Sequence, residues 1–447
     1  MKKLNVTFCS FPDYSSNAKP LYDYMKKRYN NQMNFVWIVR TNESYQNFKK
    51  QKIDAYIINT EEYFDYIKKA DVIFSTHADL IQDKPENCLY IELWHGIGCK
   101  KSGYILNIIN DLEQKWCKLL SQKVDYMIVP TDFWATLFAA IFKVDKNRIL
   151  SLGYPKFDDM LKTNADKNLS KVLNLDIKEY EKILFYTPTF SSGVGRNDKI
   201  KKSHFIDLDD FNERELLEYL EKKNYLLCIK RHPSEEGKFG NLNTKYIKNI
   251  TDSDLAKFDY TINDVLNASD LLISDYSSLI VEYTFLNKPV ICLNASLKRY
   301  SQSRGIVFEN YDFWTTGLVA RTLNDFLECI EVAFTMDIKE NRYYQDKRNL
   351  WIGNMKNGGC KKICDYIFED NQISSNVKIH KDLEEELKNK ISSLTNEITT
   401  LKECVNEQKT TILKQNDVMF KQEQTINNMV NSRGWKLLEK IRKIKNR

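Results

Sequence analysis

The chain has 447 residues, 42% of them apolar and 29% charged, with a net charge of +6. On a prior of ~150 residues per domain, that length predicts roughly two to three domains with a substantial buried core. The charge is too mild to argue for nucleic acid, and its position says more than its size: Lys436 to Arg447 are strongly basic.

The first residues, Met1 to Phe8, lack the apolar run of a signal peptide and read as a β-strand. No stretch approaches the ~20 apolar residues that a membrane-crossing helix needs, so any membrane contact is expected to be peripheral. The ten cysteines include no CxxC. Cys360 and Cys364 form a close pair with no His-rich segment beside them. Reduced thiols in a cytosolic protein fit this pattern better than a zinc site or a disulfide framework.

Short apolar runs alternate with helix-length amphipathic segments. The first series is Leu4–Phe11, Phe35–Val39, Ala55–Ile58, Val72–Ser75, Cys88–Leu93 and Tyr126–Val129. A second follows at Lys182–Tyr186, Tyr225–Ile229, Leu271–Ser274 and Pro289–Leu293. Such alternation means βαβ units and parallel sheets. The reading is an α/β protein of two Rossmann-like domains, residues 1–165 and 166–373, facing each other across a cleft as in the GT-B fold. Ligands are expected at the carboxyl ends of the strands. From about Ser374 the pattern changes. Leu387, Leu394 and Leu401 alternate at heptad spacing with Ile391, Ile398, Val405, Ile412, Met419 and Ile426. β-Branched residues at one core position and Leu at the other favour a parallel two-stranded coiled coil, here over residues 374–431. Gln408, Gln415 and Gln422 then loosen its distal half. Residues 432–447 read as a basic amphipathic tail: Trp435, Leu438, Ile441 and Ile444 recur at intervals of three among Lys and Arg. That is the pattern of a helix lying in an anionic membrane interface.

The candidate chemistry sits at strand ends. In Trp94-His95-Gly96-Ile97-Gly98-Cys99-Lys100-Lys101, an apolar run ends in a tight loop where backbone and cations can approach an anion. His95 at its mouth suits a general base near neutral pH. Ile229-Lys230-Arg231-His232-Pro233 places further potential cations in a row, suited to phosphate oxygens. His77 follows another strand and reads as structural or lining the cleft. Ser274-Asp275-Tyr276-Ser277-Ser278 runs from a strand into a helix carrying Glu282, so Ser277 and Ser278 can offer donors to a phosphate and Glu282 can reach a ribose diol. The same residues also make an ordinary helix cap. Thr187-Pro188-Thr189-Phe190 opens a loop after another strand. Asp207-Leu208-Asp209 only superficially matches a metal-binding pair, and no metal site is expected. Neither a dinucleotide fingerprint nor a Walker A loop is present.

Together these segments resemble the CDP-glycerol glycerophosphotransferase family, which makes teichoic acids and related capsular polymers. Trp94-His95-Gly96 with Lys100-Lys101 is similar to its WHG-x-x-x-KK loop, and Thr187-Pro188-Thr189-Phe190 to its P-T-[WF] loop. Arg231-His232-Pro233 resembles its HP motif, and Ser274 to Ser278 with Glu282 and Asn287-Lys288-Pro289 its [ST]DYSS…[DE]…KP signature. Leu152 to Asp158 resembles its GxPRxD turn, but Lys156 and Phe157 stand where the family usually has Arg and Asn, so no role is carried onto that turn. Ile97-Gly98-Cys99 also departs from the usual Thr-Pro-Leu.

The resemblance spans roughly residues 70 to 365. It implies an alditol-phosphate transferase that takes CDP-glycerol or CDP-ribitol as donor, uses a lipid-linked wall or capsular polymer as acceptor, and needs no cofactor or indicated metal. It further implies an acceptor-side first domain and a donor-binding second domain. His95 is expected to be the base and His232 the group that, with Arg231, neutralises the departing CMP. Lys230, Thr189, Asp275, Ser277, Ser278 and Glu282 are expected on the donor, with Gly96, Lys100 and Lys101 supporting the loop. The enzyme is expected in the cytoplasm, peripheral on the inner face of the membrane and dimeric through the coiled coil. Two alternatives are a GT-B glycosyltransferase using a nucleotide sugar and a non-catalytic scaffold of a polymer-assembly complex.

Overall fold

The computed structural model describes residues 3–107, 109–162, 164–189, 205–231, 243–303, 305–370 and 380–431, with Gly434 and Arg442 beyond them. Residues 1–366 form one unit and residues 367–447 another.

The first unit holds two wholly parallel sheets. The first comprises β1 (Leu4–Cys9), β2 (Met33–Val39), β3 (Ala55–Ile57), β4 (Val72–Ser75), β5 (Leu89–Glu92), β6 (Tyr126–Val129) and β7 (Ile149–Ser151). Their order across the sheet is β3-β2-β1-β4-β5-β6-β7. The second comprises β8 (Lys182–Tyr186), β9 (Tyr225–Lys230), β10 (Ile247–Ile250), β11 (Leu271–Ser274), β12 (Val290–Leu293) and β13 (Leu318–Ala320). Their order is β10-β9-β8-β11-β12-β13. Both sheets are therefore doubly wound and reverse direction once, between β1 and β4 and between β8 and β11. A crevice opens at such a reversal because the connections on either side leave to opposite faces.

Strands covered on both faces must be apolar throughout. In the second sheet the alternation is plain. Ile183, Phe185, Leu226, Cys228 and Leu272 belong to the apolar cluster that continues into the first domain. Leu184, Tyr186, Leu227, Ile229, Leu271 and Ile273 form the core on the opposite face. In the first sheet Phe8 stacks between Trp37 and Phe74, with centroids at 5.4 and 5.3 Å. The strands absent from the sequence reading, β7, β10 and β13, are short; β7 and β13 are terminal in the first and second sheets, β10 at the other edge of the second.

The seam between the sheets is packed and hydrogen-bonded. Trp134, in the helix Asp132–Phe142, donates its indole N–H to Trp351 O at 2.8 Å. Asp158, in the short helix Lys156–Met160 after β7, accepts from Gly358 N and Cys360 N at 2.9 and 3.0 Å. Arg28 of the first domain pairs with Asp365 at 2.8 Å, so the chain returns to its first domain after the second sheet.

The second unit is dominated by the helix His380–Asn431, unbroken over 52 residues. Ile391, Ile398, Leu401, Met419 and Ile426 are exposed on it. No described helix is long and apolar enough to cross a membrane.

Candidate active site

His95 leaves β5 through a strained turn. Trp94 has φ +53°, in the left-handed region that a bulky side chain rarely occupies. Ala78, after β4, has φ +52°. One buried carboxyl holds both turns: Glu92 accepts from Ala78 N at 2.8 Å and from Trp94 N at 3.0 Å. Burial pushes the Glu92 carboxyl well above its ordinary range, and Asp79 adds to the rise. Glu92 was not singled out in the sequence. Its only signal there was a charge at the end of a buried strand.

The turn presents His95 as an exposed side chain. Its Nδ1 lies 3.0 Å from Thr76 O. A carbonyl can only accept, so Nδ1 carries the proton and the lone pair of the neutral ring is on Nε2. Trp94 packs beside it with centroids 4.5 Å apart, and His77 stacks face to face on it at 4.0 Å. The candidate base thus has a defined tautomer and a ring held on its faces.

The backbone behind His95 is clamped. Asn17 Nδ2 donates to Leu93 O at 3.1 Å and Trp94 O at 2.9 Å. Lys156 Nζ donates to His95 O at 3.0 Å and pairs with Glu282 at 2.6 Å. Glu282 also accepts from Ile97 N at 3.2 Å. Glu282 is 2% exposed, its carboxylate held by groups of the first domain. Burial raises the Glu282 carboxyl above its usual range, and Lys156 opposes the rise. Lys156, left without a role in the sequence, is the residue that links the two domains here.

Gly96 and Gly98 also face the second domain rather than open space. A Cβ on Gly96 would lie 2.7 Å from Ser278 Oγ, and one on Gly98 3.0 Å from Ser278 Cα. The absence of side chains lets the loop lie directly on the start of the helix Ser278–Tyr283. The following residues pair across the same seam. Lys101 N donates to Gly305 O at 3.1 Å, and Val307 N to Cys99 O at 2.6 Å. Lys100 bridges Ile306, and Lys101 Nζ reaches Asn107 at 2.9 Å.

At the reversal of the second sheet, Asp275 accepts from Thr189 N at 3.0 and 2.8 Å, and from Thr189 Oγ1. Both side chains are buried. Asp275 and Thr189 therefore strap the ends of β11 and β8 together. Ser277 caps its helix by accepting from Leu279 N at 3.3 Å. Ser277 and Ser278 are each partly exposed beside the His95 loop. Lys230 pairs with Asp252 at 2.9 Å and donates to Arg231 O at 2.8 Å, which braces the strand end. Arg231 is 7% exposed. His232 and the loop from Phe190 to Ser192 lie outside the described residues. Asp207 is buried and accepts from Ser296. Among the described residues no cluster of His, Cys, Asp or Glu is placed to hold a metal ion.

Residues 1–369 match the family model described as CDP-Glycerol:Poly(glycerophosphate) glycerophosphotransferase. The chain belongs to this glycerophosphotransferase family. Among curated relatives it is 28% identical over 313 residues to the teichoic acid glycerol-phosphate primase of Bacillus subtilis (strain 168), covering 67% of this chain and 76% of that one. It is 24% identical over 328 residues to a teichoic acid poly(glycerol phosphate) polymerase of Staphylococcus epidermidis, covering 70% of this chain but only 43% of the polymerase. Among solved structures, the wall teichoic acid polymerase TagF aligns with a TM-score of 0.66 at 21% identity, over 87% of this chain and 91% of that one. This last likeness concerns the fold alone, an α/β architecture of two parallel-sheet domains.

Proposed function

We propose that this family member transfers glycerol phosphate, or a related alditol phosphate, from a CDP-activated donor to a lipid-linked wall or capsular polymer, releasing CMP. The observation that carries the reading is the seam itself. The loop bearing His95 lies on Ser278, at the start of the helix after the second sheet's reversal. An acceptor held by the first domain and a donor held by the second would meet there, as in the GT-B arrangement. The names of the curated relatives, primases and polymerases of glycerol phosphate and ribitol phosphate, support the same class of transfer.

The acceptor hydroxyl attacks the donor's β-phosphorus in line, its proton passes to His95 Nε2, and the bond to the CMP oxygen breaks. Such a transfer asks the protein for positioning and charge stabilisation more than covalent chemistry. Ser277 and Ser278 hold the donor's phosphates, and Arg231 with His232 balances the departing CMP. Lys100 and Lys101 add positive charge at the loop. The helix His380–Asn431 pairs with a second copy as a parallel coiled coil, and residues 432–447 hold the enzyme on the anionic inner face of the cell membrane. That places it in the cytoplasm, beside a lipid-linked acceptor.

The test incubates purified protein with CDP-glycerol, CDP-ribitol or UDP-sugars and a lipid-linked acceptor, then sizes the product by mass spectrometry. Growth of the acceptor by alditol-phosphate units, with CMP released, is the expected result. Turnover of a UDP-sugar alone would replace the reading with glycosyl transfer, and turnover of no donor would favour a scaffold.

A further inference from the structure

The polar groups that clamp the His95 loop come from three separate places in the chain. Asn17 precedes the first helix, Lys156 follows β7, and Glu282 lies in the second domain. Asn17 and Lys156 are themselves joined, since Lys156 N donates to Asn17 Oδ1 at 3.2 Å. The Lys156 and Glu282 side chains are 6% and 3% exposed. A buried ion pair is a poor device for stability, because desolvation offsets most of its Coulombic gain. Its geometry is another matter. One ammonium fixes both the carbonyl of His95 and a carboxylate on the helix that begins at Ser278.

We propose that Lys156 is a positioning residue for the transfer step, setting His95 through its carbonyl and, through Glu282, tying that setting to the donor-side helix. The inference rests on His95 acting as the base. A base must be held within ~0.5 Å of its working geometry, and a misplacement of about 1 Å costs on the order of 10²-fold in rate. Thr76 O fixes the ring and the Asn17–Lys156 pair fixes the backbone that carries it. Glu282 makes the arrangement depend on the two domains being together, since the ammonium loses its carboxylate when they part.

The experiment compares Lys156→Met, which removes the charge at similar length, with Lys156→Arg, which keeps it, and with Glu282→Gln. Each is read by kcat, by CDP-glycerol affinity in calorimetry, and by the His95 Cε1–H signal of ¹³C-histidine-labelled protein, assigned with His95→Gln. Lys156→Met is expected to lower kcat about 10²-fold while changing donor affinity less than about threefold, and to move the His95 signal. Lys156→Arg should recover most of the rate and return the signal. If Lys156→Met fails to fold, Glu282→Gln and Lys156→Arg still read the same link. An unmoved His95 signal in a folded variant, or a rate loss matched by lost donor affinity, would overturn the inference. The signal is read without turnover, so a wild type that transfers no alditol phosphate overturns the proposed reaction and leaves the structural link to be judged by the signal alone.

Discussion

The imidazoles of His77 and His95 lie face to face, 4.0 Å apart and 9° from parallel. Two cations at that distance would repel by roughly 4 kcal/mol at an effective dielectric of about 20. The protein resolves this by keeping His77 neutral. Burial, and after it Arg40, lowers the His77 pKa to about 3. His77 Nδ1 lies 2.8 Å from Thr76 Oγ1, while Thr76 O meets His95, so one residue orients both rings.

Stability should therefore fall on acidification. An unfolded His binds its proton below about pH 6.5, whereas folded His77 does so only near pH 3. Between these values the unfolded chain holds the extra proton, so the stability contributed above pH 6.5 is lost progressively as pH drops towards 3. Urea denaturation at pH 7 and at pH 4.5 measures the loss. His77→Phe keeps a ring without the proton and should show a smaller drop; an equal drop would assign the effect to other groups.

His95→Ala should leave the fold intact, because the side chain is exposed, and lower kcat by about 10²- to 10⁴-fold, the usual contribution of a general base. Circular dichroism and steady-state kinetics on one preparation decide it. Near-normal turnover in the folded variant removes His95 from the mechanism.

Gly96→Ala should wedge the domain seam. Its Cβ would meet Ser278 Oγ at 2.7 Å and Ser278 Cβ at 3.0 Å. Overpacking of this kind costs about 1–3 kcal/mol. Thermal unfolding should show the loss, accompanied by reduced transfer. A variant as stable and active as wild type would mean that the loop does not rest on Ser278 in solution.

Replacing Ser277 and Ser278 together by Ala should weaken CDP-glycerol binding by at least about tenfold, since hydrogen bonds to a charged group contribute roughly 1.5–3 kcal/mol. The lost cap on Leu279 N should cost about 1 kcal/mol of stability as well. Calorimetry separates the two effects. Unchanged affinity with lowered stability would make the pair caps and nothing more.

The long helix should self-associate. Ile391, Ile398, Met419 and Ile426 lie exposed on it and would be buried in a seam with a second copy. Sedimentation at micromolar concentration should give a dimer for the full chain and a monomer after deletion of residues 387–429. A monomeric full chain rejects the coiled coil. Liposome flotation with and without residues 432–447, on anionic and neutral lipid, tests the tail in the same preparations.

The sequence by itself was enough for the two parallel sheets and for the strand-end loops that carry the candidate residues. A strand buried on both faces writes its burial into consecutive residues, as in β2, β8 and β11, and the segment that follows such a run is a loop at the sheet's edge. Edge strands such as β7, Ile149–Ser151, and β13, Leu318–Ala320, carry too short an apolar run to stand out. The partners of the polar side chains were decided by the tertiary structure alone. Thr189 meets Asp275 across 86 residues, and Ile97 meets Glu282 across 185. Lys156 looked like a substitution in a minor turn until the second domain placed Glu282 against it. Periodicity records which face a residue turns inward. Which buried charge it meets there depends on how two distant segments pack, because only that packing brings the two groups together and excludes water from between them.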